Sequence, residues 1–364
     1  MASWGFFSIK DAFCSFASWT FVLGSSCVQM KTKGMHVKKI LVCLTAMVAS
    51  MAMAFALAGC GSSNSSSSSS SSSTKSVTIG TLATEDILPM WVAESEDMFK
   101  DEGIDATVET FQSATELIAA VNAGEVDLAM TDPMVTASIY ASGTDVQVSW
   151  VTLGTEASQG RFGIMTSDKN IKSLKDLAGV PIGVGSNTIL EYVMDTLMEE
   201  AGVDEDDIKT EELQKLPVRY ESMASGQVKA AALPASLLAL GEANGYTTIA
   251  DDTKGENISQ SVMIVRSEFV SDEAGQNTLS ALQKVWSAAV EKINANPSDY
   301  RELLVEKANL SDAIAKTYEV STYPTCQLPE QSMVDNVLTW MKKKGYLDEG
   351  ITYDASTGTF SGRK

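Results

Sequence analysis

The sequence predicts an α/β protein of two similarly built lobes, and three observations lead there. Short β-rich runs bounded by turn residues alternate with runs of helical period through most of the chain, the pattern of sheets covered by helices. One phrase is written twice, as VNAGEVDLAMTDP from Val121 to Pro133 and as MASGQVKAAALP from Met223 to Pro234. In each copy an apolar-periodic run ends at a glycine (Gly124, Gly226). A valine between polar residues (Val126, Val228) then opens a short apolar run closed by proline, the grammar of a helix stopped by glycine, a buried strand and a turn. Finally, 364 residues suffice for two domains at the usual size of about 100 to 200 residues each. Helix, glycine and strand recur in this order in any α/β protein, and two copies are too few for a solenoid, so the phrase counts only together with the rest.

Taken in order, the chain opens with residues 1–34, which do not fit a leader of about 15 to 30 residues; we read Met30 or Met35 as the true start. Residues 35–59 carry two lysines, an apolar stretch from Ile40 to Ala58 and small residues before Cys60. That is the layout of a secretory signal, although the apolar run is also long enough for a membrane-spanning anchor. Leu57-Ala58-Gly59-Cys60 resembles the lipobox of bacterial lipoproteins, which implies cleavage before Cys60 and lipid on its sulfur. Residues 60–75 hold a serine run from Ser65 to Ser73, a flexible tether reaching about 20 Å.

The body begins at 76 with the strand SVTIGTLA, a polar loop at Thr84-Glu85-Asp86 and a helix around Leu88 to Phe99. TVETFQ reads as strand, SATELIAAVNAG as helix, VDLAM as strand, DPMVTASIYASG as helix and VQVSWVTLG as strand, which completes the first part of one lobe at 164 and predicts a parallel sheet. The second lobe, 165–260, repeats the pattern with FGIMTS just before its start, the helix SLKDLAG, the strand VPIGVG, the helix TILEYVMDTLMEEAG and the second copy of the phrase. From 261 to 364 the chain returns to the first lobe with the strand SVMIVRSEF and then helices near Asn277 to Asn294, Ser298 to Lys307 and Gln331 to Lys344, with no further strand expected.

Composition excludes several functions. The only histidine, His36, lies in the leader, so the cleaved chain has none, which removes serine–histidine and cysteine–histidine nucleophiles and histidine-ligated zinc. Of five cysteines only Cys326 survives cleavage unlipidated, so no internal disulfide is expected, and it reads as a buried small hydrophobe. Loss of residues 1–59 removes five basic residues and one acidic residue, leaving 22 against 46 and a formal net charge of -24. Such a chain repels phosphate backbones, and no nucleic acid, cofactor or metal is expected.

Two helix starts, Ser113-Ala114-Thr115-Glu116 and Thr188-Ile189-Leu190-Glu191, fit the capping-box spacing directly after a strand. Helix N-termini at the carboxyl ends of parallel strands offer unpaired N–H groups and a positive dipole end, and ligands bind at that edge. Taken singly each is only a cap; the case for Ser113, Thr115 and Thr188 rests on each lobe aiming one at the same cleft. Asn187 adds an amide. Asp132 ahead of Pro133 is the expected N-cap, with Thr131 before it, and if its carboxylate faces the cleft a bare anion is disfavoured as ligand. Thr84 and Asp86 carry the same ambiguity, and Pro234 closes the equivalent turn in the second copy. Arg161 lies where the chain crosses between lobes, either to grip a carboxylate or sulfonate or to form a hinge ion pair. Arg219, Trp91 and Trp150 read as structural.

These residues carry a family likeness. LPMWVAESEDMFKDEGIDATVETFQSATELIAAVNAGEVDLAMTDP, SLKDLAGVPIGVGSNT and MASGQVKAAALPASLL resemble, in order and spacing, the sulfonate, nitrate and thiamine-pyrimidine solute-binding proteins of ABC importers. The likeness runs from Val77 to Glu242, with Met98 in place of a usual glycine and Lys229 in place of a usual aspartate. It implies the two-lobed, type II periplasmic-binding-protein fold, closing like a hinge on a small polar or anionic solute of the sulfonate, nitrate or pyrimidine-precursor type. It further implies a helical tail on the first lobe, delivery to a permease and its ATPase, a monomer, and an extracytoplasmic, lipid-anchored location. Enzymes on this fold depend, the resemblance implies, on a histidine that the cleaved chain lacks, so no catalysis is expected. The alternatives are an extracellular ligand sensor and a carboxylate-dependent hydrolase using Asp86 with Asp132.

Overall fold

The computed structural model describes residues 74–308, 310–311 and 314–364. The expected leader, the lipidation expected at Cys60 and the whole serine run from Ser65 to Ser73 fall outside the described residues.

Two mixed sheets form the two lobes. In the first, β1 (Val77–Leu82) lies between β2 (Ala106–Phe111) and β3 (Leu128–Thr131), all parallel. β1 is buried along most of its length, as a strand covered on both faces must be, and its run VTIGTL is apolar to match. β2 sits at the sheet edge and is largely exposed, with Glu109 on it. Between these strands come α1 (Leu88–Ser95), α2 (Met98–Asp101) and α3 (Ala114–Ala123). The single helix expected from Leu88 to Phe99 is broken at Asp97, whose φ of 58° lies in the left-handed region. α4 (Pro133–Ala141) follows β3 and leads to β4 (Val146–Leu153).

The second sheet holds β5 (Phe162–Thr166), β6 (Pro181–Val184), β7 (Lys209–Glu212), β8 (Ala230–Pro234) and β9 (Thr247–Asp251), in the order β7-β6-β8-β5-β9. Its helices are α5 (Ile189–Glu200), α6 (Leu216–Ala224) and α7 (Ala235–Ala243). β7 was missed in the sequence because KTEE carries no apolar residue; it is a wholly exposed edge strand whose charges keep that edge from pairing. SLKDL forms only a 3-10 turn, Leu174–Leu177, too short for a helix.

The expectation of purely parallel sheets is corrected. The chain leaves the first lobe on β4 and returns on β10 (Ser261–Arg266), which inserts antiparallel between β3 and β4, and β5 runs antiparallel to both β8 and β9. The two crossings therefore lie side by side. Gly154, just past β4, has φ of 90°, and a Cβ there would stand 2.5 Å from the Ser259 carbonyl on the returning crossing. Only glycine tolerates that backbone angle so close to a second chain segment.

The duplicated phrase has one structural meaning. Gly124 and Gly226, both with φ of 77°, stop α3 and α6, and the valines beyond them lead into β3 and β8, the strands through which each sheet's parallel part meets an antiparallel neighbour, β10 and β5 respectively.

The tail begins with α8 (Glu273–Ala295), which buries Leu282, Val285, Trp286 and Val290 against α1 and the first sheet. Trp150 and Trp286 meet with ring centres 5.7 Å apart, and Trp91 shares their cluster, so all three tryptophans are core. α9 (Arg301–Lys307) and α10 (Gln331–Lys343) follow. A last hairpin, β11 (Thr352–Asp354) and β12 (Thr359–Ser361), corrects the expectation of a tail without strands: it joins the first sheet beside β4. Three residues per strand are too few to display alternation in a sequence. α10 packs on α4 and also reaches the second lobe, where Trp340 Nε1 donates to Asp195 (3.1 Å), Lys344 pairs with Asp195 (3.0 Å) and Tyr346 donates to Glu191 (2.9 Å).

Candidate functional site

The carboxyl ends of β1 and β3 face those of β6 and β8 across a cleft, and a cavity of about 60 Å³ lies between them. Thr84 and Asp86 come from the turn after β1, Thr131 and Asp132 from the end of β3, Thr188 from the start of α5 and Pro234 from the end of β8. These are six of the residues singled out from sequence, and they share one cavity. Leu82, Met130, Phe162 and Leu216 supply much of its apolar wall.

The other candidates sit elsewhere. Ser113 is buried and caps α3, accepting from Glu116 N–H (3.2 Å), but Ala114 rather than Ser113 reaches the cavity. Thr115 is exposed on α3. Arg161 pairs with Glu242 (2.8 Å) and Asp251 (2.8 Å) within the second lobe, the ion-pair alternative, and lies outside the cavity. Asn187 has φ of 59° and bridges the lobes outside the cavity, its Nδ2 donating to Ser138 Oγ (2.8 Å).

The electrostatics turn on Asp132, which is 7% exposed. Its Oδ1 accepts from Val135 N–H (2.8 Å), capping α4 as its place before Pro133 dictates. Its Oδ2 reaches across the cleft and accepts from Ile189 N–H (3.1 Å), the first residue of α5. Thr188, expected to cap α5, instead donates to Gly185 O (2.7 Å), and Glu191 takes Asn187 N–H (2.6 Å). Burial pushes the Asp132 carboxyl up to about 6, against the pull of its N–H donors.

Asp86 is 4% exposed; its Oδ2 accepts from Ser261 Oγ, while its Oδ1 has no partner. Burial raises its pKa, as it does that of the adjacent Glu85. Among the described residues Arg219 is the one basic residue on the wall, and its guanidinium is turned to main chain: Nε to Leu213 O (2.8 Å), Nη1 to Ala232 O (3.0 Å) and Nη2 to Gln214 O (3.3 Å). Among the described residues no group of three acidic, cysteine or histidine side chains is placed to hold a metal ion.

Sequence reasoning missed Ser261, Phe162 and Gln214 at this site. Ser261 was legible only as the polar start of the strand SVMIV; its approach to Asp86, 175 residues away, is a product of β10 entering beside β3.

Two lobes, a double crossing and a cavity at the carboxyl edges of both sheets define the fold of the two-lobed solute-binding proteins. The NMT1/THI5-like family model matches residues 84–299, and the chain belongs to that family. No curated protein sequence matches. Among solved structures, the alkanesulfonate-binding protein SsuA of Xanthomonas axonopodis pv. citri, bound to MOPS, is similar with a TM-score of 0.65 at 15% identity, covering 76% of this chain and 96% of that one. The aliphatic sulphonate-binding SsuA of Escherichia coli gives 0.65 at 15% identity over 80% and 93%. The nitrate-binding protein NrtA of Synechocystis PCC 6803 gives 0.63 at 12% over 76% and 83%. At such identities the likeness concerns the fold.

Proposed function

We propose that this protein is an extracytoplasmic receptor that closes on a small polar solute and delivers it to the permease of an ABC importer, held to the membrane by lipid on Cys60. The observation that carries the reading is the cavity itself: it is small, mostly apolar, walled by both lobes and reached by helix N-termini from each, the arrangement in which closure and ligand capture are one event. The family membership and the lipobox before a serine run support the same reading. Asp132 has both carboxylate oxygens engaged by N–H donors, so it is poorly placed to act as base or nucleophile, which weighs against a hydrolase built on Asp86 and Asp132. Native mass spectrometry of gently purified protein should find a small molecule bound, and its removal should lower the unfolding midpoint; a ligand at a hundred times its Kd adds about 2.7 kcal/mol. Cys60→Ala should accumulate as an unlipidated precursor. A mature N-terminus upstream of Cys60 refutes the anchor.

A further inference from the structure

α6 and α7 start at the wall, at Leu216 and just after Pro234, without a side-chain cap, but the N-termini of α3, α4 and α5 already have protein acceptors. Ser113 Oγ takes Glu116 N–H on α3, Asp132 takes Val135 N–H on α4 and Ile189 N–H on α5, and Glu191 takes Asn187 N–H at the start of α5. An anion arriving at these ends would displace a bonded carboxylate or hydroxyl, and it would sit beside Asp132 and Asp86, both buried. Arg219, the only basic residue on the wall among the described residues, is held by three carbonyls. Asp86 Oδ1, by contrast, is an unpartnered acceptor on a side chain 4% exposed that lines the cavity. A buried carboxylate oxygen without a donor is costly, and a ligand that brings the donor removes that cost.

We propose that the cleft takes a small organic cation carrying N–H donors, an amine, amidine or guanidine of a few heavy atoms, with Asp86 as its counter-ion and Asp132 as the residue that keeps anions out. This rests on the solute-binding reading and names the class of solute. The apolar wall of Leu82, Met130, Phe162 and Leu216 suits the carbon face of such a cation and not a hydrated metal ion, which needs six or more oxygens. The acidic surface of the chain, with 47 acidic against 27 basic residues, favours approach of cations.

Acetamidinium and acetate make the test, because they share shape and differ in charge and in donors against acceptors. The full chain in mild detergent is stripped of any bound solute by partial unfolding and refolding, and its unfolding midpoint and heats of binding are followed with acetamidinium, methylguanidinium, ethylammonium, acetate, ethanesulfonate, nitrate and calcium. One or more of the organic cations is expected to raise the midpoint and the anions and calcium are expected to leave it unchanged. Asp86→Asn is expected to weaken the cation about tenfold or more. Should that variant fail to fold by circular dichroism, Asp132→Asn serves, expected to weaken the cation and to let acetate in. Tighter binding of acetate, ethanesulfonate, nitrate or calcium than of every cation overturns the charge assignment and leaves the receptor reading standing. Silence from all probes, with no small molecule released from the purified protein, takes the receptor reading down as well.

Discussion

Asp132→Asn separates two roles of one side chain. Asparagine caps helices as well as aspartate, so Val135 N–H keeps its acceptor on α4. The second oxygen becomes an amide that faces Ile189 N–H donor to donor, so the bond across the cleft is lost. A hydrogen bond to a charged group contributes about 1.5 to 3 kcal/mol. Against that stands the cost of keeping the anion buried: its carboxyl moves from 3.8 to about 6 in the fold. At about 1.4 kcal/mol per unit this is of order 3 kcal/mol at pH 7. That net cost already includes the help of the Ile189 N–H, so the variant, which is spared it, should be no less stable at neutrality, and the pH dependence carries the test. Below pH 3.8 the carboxyl is protonated in both the folded and the unfolded chain. Between 3.8 and about 6 the folded state keeps a proton that the unfolded chain has released, so stability falls as pH rises through this window, and above it the full cost is present. Glu85, Asp86 and Asp252, also raised by burial, tilt the wild-type curve the same way. Urea unfolding at half-unit steps from pH 4 to 7.5 should show the variant losing up to one proton's share of the slope, about 1.4 kcal/mol per pH unit at its steepest. Parallel curves for the two proteins would refute the reasoning, since Asp132 would then ionise in water, with the lobes apart.

Three further outcomes are expected. Arg219→Met should cost about 2 to 3 kcal/mol in urea with an unchanged m value, because the buried Ala232 carbonyl and the half-buried Leu213 and Gln214 carbonyls lose their donor. Gly275→Ala should lower the unfolding midpoint, by about 1 to 3 kcal/mol in free energy, as a Cβ there would lie 1.8 Å from the Phe269 carbonyl and force the first turn of α8 away. Cys326, whose thiol burial pushes up to about 11, should react with iodoacetamide at pH 7.5 at least about tenfold more slowly than a free thiol, and at full speed in denaturant.

The fold was largely legible because its main strands are continuous apolar runs and its helices end at glycines such as Gly124 and Gly226. What escaped were elements without that signal: KTEE in β7, and the three-residue strands of the final hairpin. Strand directions were misread because a sequence that alternates strand and helix does not reveal that β5 and β10 run against their neighbours. At the cleft, spacing marked the N-termini and placed Asp132 correctly as a cap. The second bond of Asp132 was beyond spacing, since it joins residues 57 apart through the closure of two lobes. Likewise Thr84-Glu85-Asp86 reads as a solvated loop, yet all three are buried, because β10 and the segment bearing Tyr323, which donates to Glu85 O (2.8 Å), cover them.

On the receptor reading, the reach of α10 onto α5 bears on what a permease would sense. A permease that recognises the closed form must tell loaded receptors from empty ones that happen to be shut, and that contrast is set by how often the empty chain closes unaided. Ties from the tail to the second lobe include Trp340 and Lys344 to Asp195, Tyr346 to Glu191 and Lys343 to Glu205 at 2.8 Å, and on the receptor reading they favour the shut form with or without solute. The burial of Asp86 and Asp132 without a bound cation opposes it. On that reading the tail acts as a standing bias and the buried carboxylates as its counterweight, which a bound cation would neutralise. Salt weakens the exposed Lys343 pairs more than the buried charges, so ionic strength should shift how often the solute-free chain shuts.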